Sequence, residues 1–100
     1  MNMLCRPRFS LGQILATPGA LEALEDSGQE PTFFLAKHNQ GDWGDLSEGD
    51  RLLNEEALTD GSRIMSSYKT LKGIKLWVIT DAVDEDGERY VTTILLPEEY

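Results

Sequence analysis

Three runs of strand-forming residues, separated by tight-turn signals, fill residues 62–96 and leave few architectures open. Arg63 to Thr70 is the first run, and Leu71-Lys72-Gly73 reads as a tight turn after it. Ile74 to Thr80 is rich in β-formers, with Ile74, Trp77, Val78 and Ile79. Asp86-Gly87 is among the strongest short hairpin signals. Tyr90 to Leu96 is the third run, stopped by Pro97. Consecutive strands joined by short turns pair as an antiparallel meander. One face of such a sheet must be covered, and here the preceding segments have to cover it.

Those segments read as helices. Thr17-Pro18 places a good N-cap before a proline at the first helical position, Leu21 and Leu24 sit three apart, and Gly28 is a stop, so a helix is expected over 18–26. Glu30-Pro31-Thr32 starts a second helix through Phe33, Phe34, Leu35 and Ala36, with Lys37 and His38 suited to its C-terminus. Ser47, with Asp50 three residues on, opens a third, whose expected inward stripe is Leu53, Ala57 and Leu58 with Leu52 at its margin, ended by Gly61. Phe9 to Leu15 is a fourth strand or an extended arm. The expected fold is therefore α+β: two or three short helices on a three- to four-stranded antiparallel sheet with a C-terminal β-meander. One hundred residues make a single domain, 1–100, with 1–8 expected to be flexible.

Charge narrows the function classes. The chain carries 18 acidic and 9 basic residues, a formal net charge of −9. Residues 22–60 hold eleven Asp and Glu against only Lys37 and Arg51. Such a body repels phosphate, which argues against direct nucleic-acid binding, and it either keeps the chain soluble or attracts a basic protein partner. No apolar run approaches the roughly 18 residues that span a bilayer, and no secretory signal is legible at the N-terminus, where Ser10, Gly12 and Gln13 interrupt the apolar stretch. The single cysteine, Cys5, cannot form an intrachain disulfide. A cytoplasmic location is expected, with no membrane partner.

The densest set of reactive side chains is His38-Asn39-Gln40-Gly41-Asp42-Trp43-Gly44-Asp45. His38, Asp42 and Asp45 could ligate a divalent metal, or His38 could act as a base oriented by an aspartate. A simpler reading has Trp43 anchoring the loop in the core, both aspartates capping backbone, and His38 ending a helix. The spacing matches no standard metal site, so neither a metal nor a cofactor is expected. Asp84 to Glu88 packs carboxylates around Gly87, but a calcium loop begun at Asp84 would need Gly where Arg89 stands. No Gly-rich phosphate loop or Gly-x-Ser-x-Gly elbow occurs. Arg63, Lys69, Lys72 and Lys75, interleaved with Tyr68 and Trp77, form either a weak nucleic-acid face or a solvated strand face. Asp42, Trp43, Asp45, Tyr68 and Trp77 are the candidate binding residues.

His38 with Gly41-Asp42-Trp43-Gly44-Asp45, Asn54, Ala57-Leu58, Ser67-Tyr68, Trp77-Val78-Ile79-Thr80 and the ending Thr92-Thr93-Ile94-Leu95-Leu96-Pro97-Glu98-Glu99-Tyr100 resembles a family of small uncharacterised bacterial proteins found on plasmids and integrative elements. The similarity runs from about Leu11 to Tyr100 and departs at the longer acidic turn Asp84–Glu88. It implies a genomic setting and no activity. Three functional readings follow. The first is a non-enzymatic interaction protein of a mobile element, acting through its acidic surface on a protein partner. The second is a small metal-dependent nuclease or toxin-like enzyme centred on His38, Asp42 and Asp45. The third is a structural homodimer joined through a sheet edge.

Overall fold

The computed structural model describes residues 7–100. Cys5, and the flexibility expected for the first residues, lie outside that range, except that Pro7 and Arg8 are described. Arg8 is anchored: its amide donates to the Asn39 carbonyl at 2.6 Å, and its guanidinium grips both Glu55 oxygens at 2.8 and 3.2 Å.

The elements run β1 (Gln13–Ala16), α1 (Pro18–Ser27), α2 (Pro31–Asn39), α3 (Glu48–Asp60), β2 (Ile64–Lys69), β3 (Lys75–Thr80) and β4 (Val91–Leu95), followed by a short 3-10 turn at Pro97–Glu99. The strands form one sheet in the order β1-β4-β3-β2. The meander is present: β2 pairs antiparallel with β3, and β3 with β4. The fourth strand corrects the expectation of a purely antiparallel sheet, because β1 runs parallel to β4, with Gln13 opposite Val91. Its partner lies far along the chain, across three helices and two strands, a crossover that frees β1 from the alternating direction a hairpin imposes.

Local signals place the helices. The Thr17 hydroxyl accepts the Ala20 amide at 3.2 Å, and Gly28 closes α1 at a φ of +68°. The Ser47 hydroxyl accepts the Asp50 amide at 3.2 Å, and Gly61 closes α3 at +83°. The inward faces differ from the leucine stripes expected. Helix α1 buries Ala20, Ala23 and Leu24 and leaves Leu21 half exposed. Helix α3 buries Asn54 and Ala57, while Leu53 faces solvent. Asn54 displaces leucine because its amide makes two bonds to the backbone of Met65, receiving the N–H at 3.2 Å and donating to the carbonyl at 2.7 Å. A buried residue that pairs with a strand's peptide groups at both ends satisfies groups that a leucine would leave orphaned.

Alternation along the strands splits the sheet. Ile64, Ser66 and Tyr68, Leu76, Val78 and Thr80, and Thr92 and Ile94 face the helices and are buried. The larger core joins α1, α2 and this face; a smaller one joins Trp43, Ala57 and Ile64, with Phe9, Leu46 and Leu58 against them. Lys37 and Asp42 pair at 3.3 Å at the start of the loop that leads from α2 towards α3.

That loop closes the β2 edge. Gly44 forms a parallel bridge with Ser67; the Asp45 amide donates to the Ser67 carbonyl at 2.7 Å and the Ser67 amide to the Trp43 carbonyl at 3.2 Å. Gly44 sits at a φ of +76°, and a Cβ there would overlap the Ser67 carbonyl oxygen. Gly73, in the β2–β3 turn, has a similar φ of +85° with open space around it. A left-handed backbone alone costs a non-glycine residue roughly 1–2 kcal/mol. Gly73→Ala should therefore lose about that much stability in urea unfolding, and Gly44→Ala clearly more, because the loop must also leave the strand. Equal losses would show that the loop does not need its close approach to β2.

Candidate functional site

The candidate group of His38, Asp42 and Asp45 is not brought together. Helix α2 turns His38 inward along the same stripe as Phe34 and Leu35, and the imidazole is fully buried. Asp42 and Asp45 remain exposed at the surface. Among the described residues no group of three or more His, Cys, Asp or Glu side chains could hold a metal ion.

His38 is the centre of a buried polar chain instead. Its Nδ1 lies 2.6 Å from the Ser66 hydroxyl and its Nε2 2.9 Å from the Thr80 hydroxyl; Thr80 lies 2.7 Å from Thr92, whose hydroxyl donates to the Leu11 carbonyl at 2.6 Å. The donors can be assigned by elimination. A carbonyl only accepts, so the Thr92 proton is committed to Leu11. Thr80 must then donate to Thr92, which leaves its oxygen to accept from His38 Nε2–H. In the neutral ring that burial enforces, Nδ1 is then bare and accepts from Ser66. The chain places a proton on Nε2, and the neutral ring with that tautomer satisfies every link. Burial with no carboxylate in contact pushes the His38 pKa down to about 3.

A serine hydroxyl 2.6 Å from an imidazole nitrogen is the geometry of an activated nucleophile. Ser66 and His38 are nevertheless both fully buried. Aromatic rings seal the pair. Phe9 meets the imidazole edge-on at 5.2 Å, Trp43 does so at 6.0 Å, and Phe9 stacks on Trp43 at 6.2 Å.

Trp43 is the loop anchor that the simpler reading expected. It is buried, and its indole N–H donates to Glu55 Oε2 at 3.1 Å. The Arg8 guanidinium, followed by this indole bond, holds the Glu55 carboxyl below its usual pKa. Asp42 accepts the Gly44 amide at 3.3 Å, a local turn bond, and Asp45 contributes its backbone to Ser67. Tyr68 and Trp77 do not form one face. Tyr68 points among the helices, donates to the Asp42 carbonyl at 2.6 Å, and has its pKa raised by burial. Trp77 projects from the opposite face, half-buried, with Tyr100 edge-on at 5.7 Å. The basic stripe is divided as well: Lys69 and Lys75 pair at one end of β2 and β3, and Arg63 sits at the other end, its guanidinium against the Tyr100 hydroxyl.

Two structural residues had no sequence signal. Arg89 is buried, donating to the carbonyls of Ala57, Ser62 and Asp81 at 2.7–3.0 Å and so capping the last turn of α3. It lines a cleft of about 420 Å³ with Phe9, Leu58, Asp60 and Val83. Glu99 caps α1 from the far end of the chain, bonding the Thr17 hydroxyl and the Gly19 amide. Neither set of contacts is visible to local patterning, because the partners lie between 8 and 82 residues away.

No helix among the described residues is long and apolar enough to cross a membrane. No family model, no curated protein and no solved structure matches the chain.

The buried imidazole sets a pH dependence. The native state binds its proton far more weakly than the unfolded chain, whose His titrates near 6.5, so stability is retained above that pH and lost as pH falls. Between pH 6.5 and 5, above the carboxylate range, the wild-type loss should steepen towards about 1.4 kcal/mol per pH unit. His38→Gln should flatten that slope; a wild type with no slope in this window would mean the imidazole is not held neutral. At neutral pH, Trp43→Ala should cost roughly 3–5 kcal/mol, while exposed Asp42→Asn should stay within about 0.5 kcal/mol, both read by denaturant unfolding. A Trp43→Ala protein of wild-type stability would remove the anchor role.

Proposed function

We propose that this chain is a non-enzymatic interaction protein that binds a basic protein partner through α3. The observation that carries the reading is an apolar pair that α3 leaves in solvent rather than in the core. Leu52 and Leu53 are 59% and 61% exposed. They stand among the exposed carboxylates of Glu48, Asp50, Glu55, Glu56 and Asp60. An amphipathic basic surface complements such a face: its apolar side chains cover the leucines and its cations meet the rim. The side chains of the His38 segment support the same reading from the other direction, since they serve the fold. The resemblance to proteins of mobile elements suggests where a partner would be found, and a nucleic-acid-binding enzyme has a surface of the required sign.

Long-range attraction steers association and is screened by salt, with a screening length of about 8 Å at physiological ionic strength. A partner captured from the source cell by wild-type protein should lose at least about tenfold in affinity, which is about 1.4 kcal/mol, with Leu52→Ala/Leu53→Ala and with Glu56→Lys. Its association rate should fall steeply as salt rises. These substitutions are on the surface and should leave melting curves in place. A partner that binds both variants as well as wild type, at a rate indifferent to salt, would overturn the proposal.

A further inference from the structure

The sheet has two edges, and the described residues cover only one of them. The β2 edge is covered by the Asp42–Asp45 loop through the Gly44–Ser67 bridge, and β2 ends in Lys69. Covering loops and charges are the ordinary means of keeping a strand edge from pairing with another chain. Among the described residues no strand or loop pairs with the β1 edge, and the edge carries no charge. From Phe9 to Leu21 no residue is charged, although 27% of the chain is. Ile14 and Leu15 are 40% and 45% exposed on this edge, and Leu21, at the start of α1, is half exposed.

The ladder also shows which peptide groups face outward. Gln13 N–H donates to the Tyr90 carbonyl at 2.8 Å and Thr17 N–H to the Ile94 carbonyl at 3.0 Å. Alternation along a strand then turns Leu15 to β4 and points the N–H and C=O of Ile14 and Ala16 away from the sheet.

We propose that β1 pairs antiparallel with β1 of a second copy, about a two-fold axis at Leu15, to give a dimer with one continuous eight-stranded sheet. In that register Ile14 of each chain exchanges both hydrogen bonds with Ala16 of the other, so all four outward groups of each strand are satisfied. Leu15 meets its own copy as a non-hydrogen-bonded pair, on the face away from the helices, in the row it shares with Thr93, Ile79 and Met65. A two-fold interface demands such self-complementarity. Charge selects the same occupant. Two chains of net charge −9 repel over most of their surfaces and can approach through an uncharged strip. The strand is four residues long, so the contact is small and the dimer is weak and concentration-dependent. The proposal is independent of α3, which packs over β2 at the opposite edge.

Sedimentation equilibrium of the full chain over a wide concentration range should show the mass rising from one chain towards two. Leu15→Lys places two ammonium groups on the axis and should hold the protein monomeric. Ile14→Pro removes an outward N–H but no bond to β4, a position an edge strand tolerates, and should also give a monomer; circular dichroism of both variants checks that they remain folded. In a Cys5→Ser background, Leu15→Cys should crosslink under mild oxidation, because opposed Cα atoms about 4.5 Å apart are within disulfide reach. Gln13→Cys should not, since its copies would be about 13 Å apart along the strands. A chain monomeric at every concentration, a dimer that survives both Leu15→Lys and Ile14→Pro, or equal crosslinking at positions 13 and 15 would overturn the proposal. The last result would indicate an unregistered edge open to any extended peptide.

Discussion

The neutral imidazole of His38 joins one helix to three strands and the N-terminal arm through a single chain of hydrogen bonds. Through Ser66 it reaches β2, through Thr80 it reaches β3, through Thr92 it reaches β4, and the last hydroxyl ends on the carbonyl of Leu11 just ahead of β1. A sheet whose helix-facing side carried only aliphatic side chains would be held to α2 by packing alone. Here a directional chain of protons fixes the helix against three strands and the N-terminal arm at once. Such a chain stabilises only when complete, because a missing link leaves a buried polar group without a partner. Phe9 and Trp43 close over the imidazole and keep water from competing for those bonds.

The loop after α2 follows from the same centre. Trp43 packs on the ring that His38 presents, and its indole bond to Glu55 ties the loop to α3. Arg8 holds the other side of Glu55, so arm, loop and helix meet on one carboxylate. With the loop held there, Gly44 can approach β2 closely enough to bridge it. The edge of the sheet is thereby closed by a segment whose sequence resembles a site. Aspartates flanking a tryptophan between glycines are equally the composition of a ligand loop and of a tight turn held down by an aromatic anchor.

The two surfaces proposed for interaction lie at the two ends of the sheet. One is the acidic face of α3, with two leucines in solvent; the other is the uncharged β1 edge. Pairing through β1 would leave α3 of each copy at the outer limits of a double-length sheet, so a dimer would present two acidic faces to a partner with repeated basic sites. Neither surface uses the groups of the His38 chain.

Much of the secondary structure was legible along the chain. Thr17-Pro18, Ser47, Gly28 and Gly61 bounded helices within a residue or two, and the turn at Gly73 separated β2 from β3, because caps and turns are decided by neighbours within about four positions. The meander was legible for the same reason. The direction of β1, the burial of Asn54 in place of Leu53, and the roles of Arg89 and Glu99 were not, since each depends on a partner outside that range. His38 shows the boundary most clearly. Its own segment offers it as a helix-terminal or catalytic histidine, while its partners Ser66 and Thr80 stand 28 and 42 residues away. Only folding brings two hydroxyls to one imidazole, with a third bonded behind them, and only in that low-dielectric enclosure is a residue that titrates near neutrality in water held uncharged at neutral pH.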